Sequence, residues 1–202
     1  MARRVLLASR NAKKLTELRR ILDEAGVAGV EIVGLADVPE YREAPETGAT
    51  FEENALAKAR DGAAATGLPC VADDSGIEVD ALNGMPGVLS ARWSGGHGDD
   101  AANNALLLGQ LRDVPDERRG ARFVSTCALV TPDGAETVVR GEWPGRVARE
   151  PQGEYGFGYD PLFVPEGDGR SAAQLTPTEK DAVSHRGRAL QQLLPALAAL
   201  AE

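Results

Sequence analysis

The stretch 70-CVADDSGIEVDALNGMPG-87 places two adjacent aspartates directly after an apolar run. That run, residues 68–72, has the largely unbroken apolar character of a short buried strand. Adjacent carboxylates repel each other, and Asp, Ser and Gly are typical turn residues. The simplest interpretation is therefore a turn that begins at Asp73. The alternative is a bound divalent cation, which would cancel the repulsion between Asp73 and Asp74.

Helices and strands are predicted to alternate before this stretch. The predicted order is a strand at 5–8, a helix that stops at Gly26, a helix at 50–67 and the strand at 68–72. Thr50 and Glu53 fit a capping box at the start of the second helix, and Gly67 suits the left-handed position after it.

The second half of the chain favours a hairpin followed by helices. Strands are predicted at 121–130 and 136–143, joined by the turn 131-TPDG-134. A helix is predicted at 99–111, capped by Asp99 or Asp100. A second begins at Thr176-Pro177, where Glu179 would complete a capping box, and a third spans 186–200 with a bend at Pro195. Alternating strands and helices favour parallel strand pairing, and the hairpin adds an antiparallel pair. Together they predict an α/β fold with a mixed β-sheet flanked by helices.

Composition narrows the class of protein. The chain of 202 residues is 43% hydrophobic and 26% charged, as in ordinary globular proteins, and its net charge of −9 argues against general nucleic-acid binding. Cys70 and Cys127 form no CxxC pair, so no disulfide scaffold or zinc site is expected. The N-terminal apolar run is too short for a signal peptide, and no stretch approaches the roughly 20 apolar residues of a membrane span. We expect one cytoplasmic domain, 1–202, without nucleic-acid or membrane partners.

The first candidate site is 9-SRNAKK-14, between the first strand and its helix. A helix N-terminus accepts phosphate, Asn11 can donate an amide hydrogen, and Lys13 or Lys14 can add a positive charge. Alternatively, Asn11 is only an N-cap and the lysines are solvated. The absence of GxxxxGK[ST] excludes an ordinary P-loop.

Acidic residues suggest a second site. Glu43, Glu46, Glu52 and Glu53 surround the start of the second helix, and Asp73 and Asp74 follow the next strand. Carboxylates from neighbouring loops suit Mg²⁺, which takes one or two of them and leaves its other positions to water and phosphates. Glu52 and Glu53 are explained more simply by the helix dipole, so Glu46 and Asp74 are the better ligand candidates.

Two further clusters lie in the last third of the chain. In 156-GFGYDPLF-163, Phe157 and Tyr159 could stack on a base, although core packing is a strong alternative. In 180-KDAVSHRG-187, Lys180 falls one helical turn before Ser184, and His185 and Arg186 stand at a predicted helix start. A surface helix start is the simpler interpretation of that segment taken alone.

Five segments in register resemble the inosine triphosphate pyrophosphatases, also called non-standard purine NTP pyrophosphatases. They are 9-SRNAKKLTEL-18, 46-ETGATFEENALAKA-59, 72-ADDSGIEVDALNGMPGVLSARW-93, 156-GFGYDPLF-163 and 184-SHRG-187. The resemblance implies two α/β lobes with the active site in the groove between them, usually in a homodimer. It also implies Mg²⁺-dependent hydrolysis of ITP, dITP and XTP to the monophosphate and pyrophosphate, which keeps these nucleotides out of DNA and RNA.

The resemblance also implies a role for individual residues. Asp74 would be the catalytic residue, as metal ligand and water activator, with Glu46 as the other metal-site carboxylate and Asp73 in support. Ser9, Asn11 and Lys14 would hold the triphosphate, with Ser75 and Lys180 near the nucleotide. The full substrate-binding set is Ser9, Arg10, Asn11, Ala12, Lys13, Lys14, Ser75, Phe157, Gly158, Tyr159, Asp160, Lys180, His185 and Arg186. Residues 157–160 would form the wall of the base pocket, and His185 and Arg186 would read the base.

The first motif departs from the family pattern. That pattern usually reads Thr-Gly-Asn-x-Gly-Lys, so Arg10 and Lys13 stand where glycines are usual and make the loop stiffer and more cationic. Lys14 fills the motif's lysine position, and the phosphate contact is assigned to it. Two alternatives remain. One is a Maf-type pyrophosphatase with another base preference. The other is a non-catalytic nucleotide sensor, and the presence of both Glu46 and Asp74 argues against the sensor.

Overall fold

The computed structural model describes residues 2–43 and 45–201. Within these ranges the chain forms one six-stranded sheet in the order β2-β1-β3-β4-β5-β6. The strands are β1 Arg3–Leu7, β2 Val30–Val33, β3 Cys70–Val79, β4 Gly120–Val130, β5 Glu136–Val147 and β6 Phe163–Pro165. The α-helices are α1 Ala12–Glu24, α2 Phe51–Thr66, α3 Asp100–Gln110, α4 Pro177–Val183 and α5 His185–Ala199. Strand β1 pairs in parallel with β2 and β3, whereas β5 and β6 are antiparallel, which confirms the predicted α/β fold with a mixed sheet.

Local capping explains where several helices begin and end. The Asp99 carboxylate accepts from the Ala102 N–H at 3.0 Å, so Asp99 and not Asp100 is the N-cap of α3. Thr176 and Glu179 form the predicted reciprocal box before α4. At α2, the Thr50 hydroxyl accepts from the Glu53 N–H as predicted, but the Glu53 carboxylate bonds the Ala49 N–H instead of closing the box. Gly67 ends α2 at a φ of 67°.

The predicted turn at Asp73 is wrong, because β3 continues without interruption from Cys70 to Val79. Both aspartates therefore lie inside a strand. Side chains from other segments stabilise both carboxylates: the Lys14 ammonium donates to Asp73, and Asp74 accepts from the Asn54 amide and lies 3.5 Å from Nζ of Lys58. Strands β2 and β6 have no counterpart in the sequence prediction, and β5 extends past 143 to Val147.

The chain divides into two compact units, and β3, β4 and β5 contribute residues to both. The first unit contains residues 2–74, 125–141 and 186–201, and the second contains 75–124 and 142–185. The first unit has two apolar clusters, one built around Leu18, Leu193 and Val71 and the other around the alanines of α2. The second unit has one cluster rich in aromatic rings. No helix in the described ranges is long and apolar enough to cross a membrane.

Candidate functional site

The loop 9–14 turns from β1 into α1 and separates its two lysines. Asn11 caps α1 by accepting from the Lys13 N–H at 2.9 Å, so its predicted capping role is confirmed. The exposed Arg10 donates to Glu43 at 2.9 Å. Lys13 is exposed, while the half-buried Lys14 places its Nζ 2.7 Å from Oδ2 of Asp73. Of the two lysines, Lys14 is the one that contacts the acidic residues at 73–74.

Asp73 is a buried carboxylate that binds two cationic side chains. It is only 5% exposed, and its Oδ2 accepts from Lys14 and, at 3.4 Å, from Nε of Arg186. Burial opposes its charge, but Lys14, Arg186 and Lys58 outweigh that effect and hold the pKa of Asp73 well below its usual range. Asp73 is therefore a carboxylate that keeps its charge in the folded protein.

Arg186 completes a buried ionic network in the first unit. Its Nη1 donates to Oε2 of Glu17 at 3.0 Å, in addition to the bond from Nε to Asp73. Burial lowers and the two carboxylates raise its proton affinity, and the net effect is a raised pKa for Arg186. The network runs Glu17–Arg186–Asp73–Lys14, with two positive and two negative groups.

Asp74 and Glu46 form a second acidic group, bridged by Lys58. The Lys58 Nζ lies 2.9 Å from Oε1 of Glu46 and 3.5 Å from Oδ1 of Asp74, and Asn54 donates to the other Asp74 oxygen at 2.9 Å. Burial, with Glu46 and Asp73 nearby, raises the pKa of Asp74 despite Lys58 and Asn54. Burial disfavours the Lys58 ammonium, but Asp74, Asp73 and Glu46 more than compensate and raise its pKa. Asp74 thus holds its proton more readily than an ordinary aspartate.

The Glu46–Asp74 pair fits a divalent cation. Two carboxylates already share one cationic group, the Lys58 ammonium, so the space between them suits positive charge. In the described part of the chain, no cluster of three or more His, Cys, Asp or Glu side chains could hold a metal ion. Two carboxylates, with water and phosphate oxygens as the remaining ligands, match the usual mode of Mg²⁺ binding.

The segment 156–160 in the second unit holds a half-exposed phenyl ring between two glycines. The Asp160 carboxylate accepts from the Phe157 N–H at 2.8 Å and from the Lys180 ammonium. The Lys180 Nζ also lies 5.2 Å from the centre of the Phe157 ring. The Phe157 ring therefore lies beside a cation that Asp160 positions, and it is available to stack on a base.

Two other residues predicted for the base pocket are buried. Tyr159 is 5% exposed and its hydroxyl donates to the Ser90 carbonyl at 2.8 Å, which confirms the core interpretation for its ring. His185, also 5% exposed, stacks on Phe123 with ring centroids 4.7 Å apart. Ser75 follows Asp74 in β3 and is half-buried.

Three residues at these sites were missed by sequence reasoning: Glu17, Asn54 and Lys58. Asn54 and Lys58 lie four apart within 46–59, so they share one face of α2, and that spacing could have identified them. Glu17 follows Lys14 by three residues and stands on the apolar face of α1 beside Leu18. A charged residue on a buried helix face signals a partner from elsewhere in the fold.

Glu52 and Glu53, the residues attributed to the helix dipole, bond other partners than the Asp73 network and the Glu46–Asp74 pair. The Glu52 carboxylate accepts from Arg140 at 2.9 Å and from Thr126 at 3.2 Å, and Glu53 bonds the Ala49 N–H. Glu46 and Asp74, which share Lys58, are the two residues that sequence reasoning chose as metal-ligand candidates, and their role as ligands stays a prediction.

Comparison with known proteins gives consistent matches over nearly the whole chain. The profile of the Ham1 family matches residues 5–196. A dITP/XTP pyrophosphatase of Nocardia farcinica is 84% identical over 199 residues, covering 98% of this chain and 97% of that protein. A dITP/XTP pyrophosphatase of Mycobacterium tuberculosis is 71% identical over 198 residues, covering 98% of this chain and 97% of that protein.

Solved structures agree with the sequence matches. The crystal structure of a nucleoside-triphosphatase / dITP/XTP pyrophosphatase from Mycobacterium abscessus superimposes with a TM-score of 0.79 at 71% identity, covering 96% of this chain and 99% of that one. A HAM1 protein from Coxiella burnetii superimposes with a TM-score of 0.86 at 41% identity, covering 98% and 99% of the two chains.

Proposed function

This chain belongs to the Ham1 family, and from that membership and its close relatives we infer that it is a dITP/XTP pyrophosphatase. The reaction is hydrolysis of the nucleoside triphosphate to the monophosphate and pyrophosphate. The observation that carries this inference is the Glu46–Lys58–Asp74 arrangement, in which two carboxylates and an ammonium group meet beside the Lys14–Asp73 pair. Phosphoryl transfer depends mainly on positioning and charge neutralisation, and these groups supply both.

The residues of the first unit would bind the triphosphate. Lys14, held by Asp73, and Lys58, held by Glu46 and Asp74, present two ammonium groups to phosphate oxygens. Ser9 and Asn11 stand at the N-terminus of α1, where backbone N–H groups favour anions. These groups would bind phosphate oxygens without a P-loop.

Glu46 and Asp74 would hold Mg²⁺, with Asp73 supporting the site through Lys14. When bound, the ion supplies charge neutralisation at the phosphates and a more acidic water. Asp74 accepts the proton of the attacking water as the new bond to phosphorus forms and the bond to the pyrophosphate oxygen breaks.

The residues at the other end of the nucleotide would select the base. Phe157 stacks on the purine, with Gly158, Tyr159 and Asp160 shaping the wall of the pocket and Lys180 beside it. Arg186 and His185 donate to the 6-oxo group of hypoxanthine or xanthine, an acceptor that adenine lacks. A site built on such hydrogen bonds can discriminate by roughly 10⁴-fold.

The cytoplasm as the place of action and the homodimer are further parts of this proposal. Both rest on the family resemblance. Sedimentation of the purified protein between low and high micromolar concentration tests the dimer, and a single species of monomer mass would contradict it.

The decisive experiment measures pyrophosphate release from dITP, ITP, XTP, dATP, dGTP, dTTP and dUTP, with and without Mg²⁺. We expect dITP, ITP and XTP to rank first and to require Mg²⁺. If dUTP or dTTP ranks first, the chain has the preference of a Maf-type enzyme. Nucleotide binding without any pyrophosphate release would instead identify a sensor.

A further inference from the structure

Side chains of helix α3 bond both the backbone N–H and the backbone carbonyl of one residue, Gly158, in the 156–160 segment. The Gly158 N–H donates to Oδ2 of Asp100 at 2.7 Å, and the Gly158 carbonyl accepts from Nδ2 of Asn104 at 2.9 Å. Asp100 and Asn104 are four residues apart, so they project from the same face of α3. Gly158 is thus fixed by a donor and an acceptor from one rigid element.

The fixed residue follows the Phe157 ring directly. Gly156 and Gly158, on either side of Phe157, have φ values of 78° and 62°, a region in which L side chains are strained. A side chain at Gly156 would collide with the Asp160 carboxylate, whereas Gly158 has open space, so only its backbone conformation requires glycine. Such a backbone keeps one conformation only if other groups hold it.

The two sides of the phenylalanine are held by different residues. Asp160 accepts from the Phe157 N–H at 2.8 Å and so holds the side that precedes the ring. On the side that follows the ring, Asp100 and Asn104 hold Gly158. The backbone on both sides of the ring is therefore held, by Asp160 before the ring and by α3 after it.

Asn104 serves this contact at a cost to stability. Its Oδ1 is buried and has no hydrogen-bond partner among the described residues, while its Nδ2 is used for Gly158. A buried acceptor without a partner destabilises the folded state. An apolar residue here would avoid that cost, and it would lose the donor to Gly158.

We propose that Asp100 and Asn104 are positioning residues for base recognition, which act by holding the Gly158 peptide and through it the Phe157 ring. This inference rests on the proposed function, since it assumes that Phe157 contacts the base. It adds α3, which carries no residue of the predicted site, to the determinants of purine binding.

Steady-state kinetics with dITP test the proposal in Asn104→Ala, Asn104→Asp and Asp100→Ala. We expect the KM for dITP to rise about five- to ten-fold, the effect of losing one hydrogen bond, with kcat changed less than about two-fold. Inorganic tripolyphosphate has no base, so its inhibition constant should stay within about two-fold of the wild-type value. Asp100→Asn keeps an acceptor for the Gly158 N–H and should restore most of the KM.

Two controls separate positioning from general damage to α3. Asp99→Ala removes the neighbouring N-cap carboxylate, which bonds the Ala102 N–H and not Gly158, so it should lower thermal stability without raising the KM for dITP. In a Phe157→Ala background, Asn104→Ala should add less than about a two-fold change, because its effect passes through the ring.

The outcomes are distinguishable. If the wild-type protein hydrolyses dITP but the Asp100 and Asn104 variants keep its KM, the positioning role is refuted and the proposed function stands. Equal increases in the KM for dITP and in the inhibition constant for tripolyphosphate, or an equal effect of Asp99→Ala, also refute it. If the wild-type protein does not hydrolyse dITP, the proposed function itself fails.

Discussion

The Nζ of Lys14 lies 2.7 Å from Oδ2 of Asp73, and the two residues are 59 positions apart in the chain. This contact distinguishes the two adjacent aspartates. Asp73 pairs with Lys14 and Arg186, whereas Asp74 pairs with Lys58 and Asn54. Burial favours the protonated form of both. At Asp73 the cations outweigh burial and lower the pKa, whereas at Asp74 burial, with Glu46 and Asp73 nearby, prevails and raises the pKa, so two neighbouring carboxylates have different chemistry.

Asp74→Asn should lower kcat for dITP by about 100-fold or more, because it removes the proposed metal ligand and proton acceptor while keeping the side chain's volume. Pyrophosphate release at saturating dITP measures the effect, and circular dichroism checks the fold. Asp23→Asn, an exposed change at the end of α1, serves as the matched control. Near-normal turnover in Asp74→Asn would move the catalytic role to another residue.

Glu46→Gln should raise the Mg²⁺ concentration needed for half-maximal activity by about ten-fold, because it removes one of the two proposed carboxylate ligands. A Mg²⁺ titration of initial rate measures this value. Glu43→Gln is the matched control, since Glu43 pairs with the exposed Arg10 and not with Lys58. Equal Mg²⁺ requirements in the two variants would remove Glu46 from the metal site.

Lys14→Ala should weaken inhibition by inorganic tripolyphosphate about ten-fold or more, because it deletes the proposed charge-assisted bond to phosphate. Lys13→Ala should change the same inhibition constant by less than about three-fold, since Lys13 is exposed and Lys14 contacts the acidic residues. The two variants form a matched pair in one loop. A larger effect at Lys13 would show that the phosphates bind on the solvent side of the loop.

Arg186→Ala should cost about 2–4 kcal/mol of transition-state stabilisation for dITP, measured through kcat/KM, and much less for dATP, because the variant loses the proposed donor to the 6-oxo group. Arg186 is buried between Glu17 and Asp73, so thermal stability must be measured on the same sample. Arg188→Ala, an exposed position on the same helix, is the control. If dITP and dATP lose activity by one common factor, Arg186 acts through the ionic network and does not read the base.

The two thiols should make the protein less stable at high pH. Burial raises the pKa of Cys70 and of Cys127 from about 9 to about 12, so the folded chain keeps protons that the unfolded chain releases. Stability is then fully present below about pH 9 and falls as pH rises toward 12, by up to about 1.4 kcal/mol per pH unit for each thiol.

Urea unfolding under reducing conditions from pH 8 to 10.5 tests this for wild type and Cys127→Ala. The stability difference between the two proteins should shrink above about pH 9, because only the wild type carries the Cys127 contribution. A difference that stays constant over this range would show that the thiol does not titrate differently in the two states.

Residues close together in the sequence determined much of this protein. The cap of α1 at Asn11, the box at Thr176 and the end of α2 at Gly67 depend on groups within about four positions, so their chemistry can be read locally. The alternation of apolar segments likewise predicted a mixed α/β sheet. Sequence reasoning preferred Glu46 and Asp74 as ligand candidates because the helix dipole did not explain them, and the tertiary structure brings both to Lys58.

Tertiary structure alone decided what the charged residues contact. The sequence could not show that β3 runs straight through Asp73, because the cations that make this possible come from Lys14 and from Arg186, 113 positions away. Nor could it show that Glu17 faces Arg186 across 169 positions, or that Tyr159 turns its ring into the core. Two adjacent, mutually repelling carboxylates predict a turn from local residue types alone. The fold supplies opposite charges and buried hydrogen bonds that make a strand stable there.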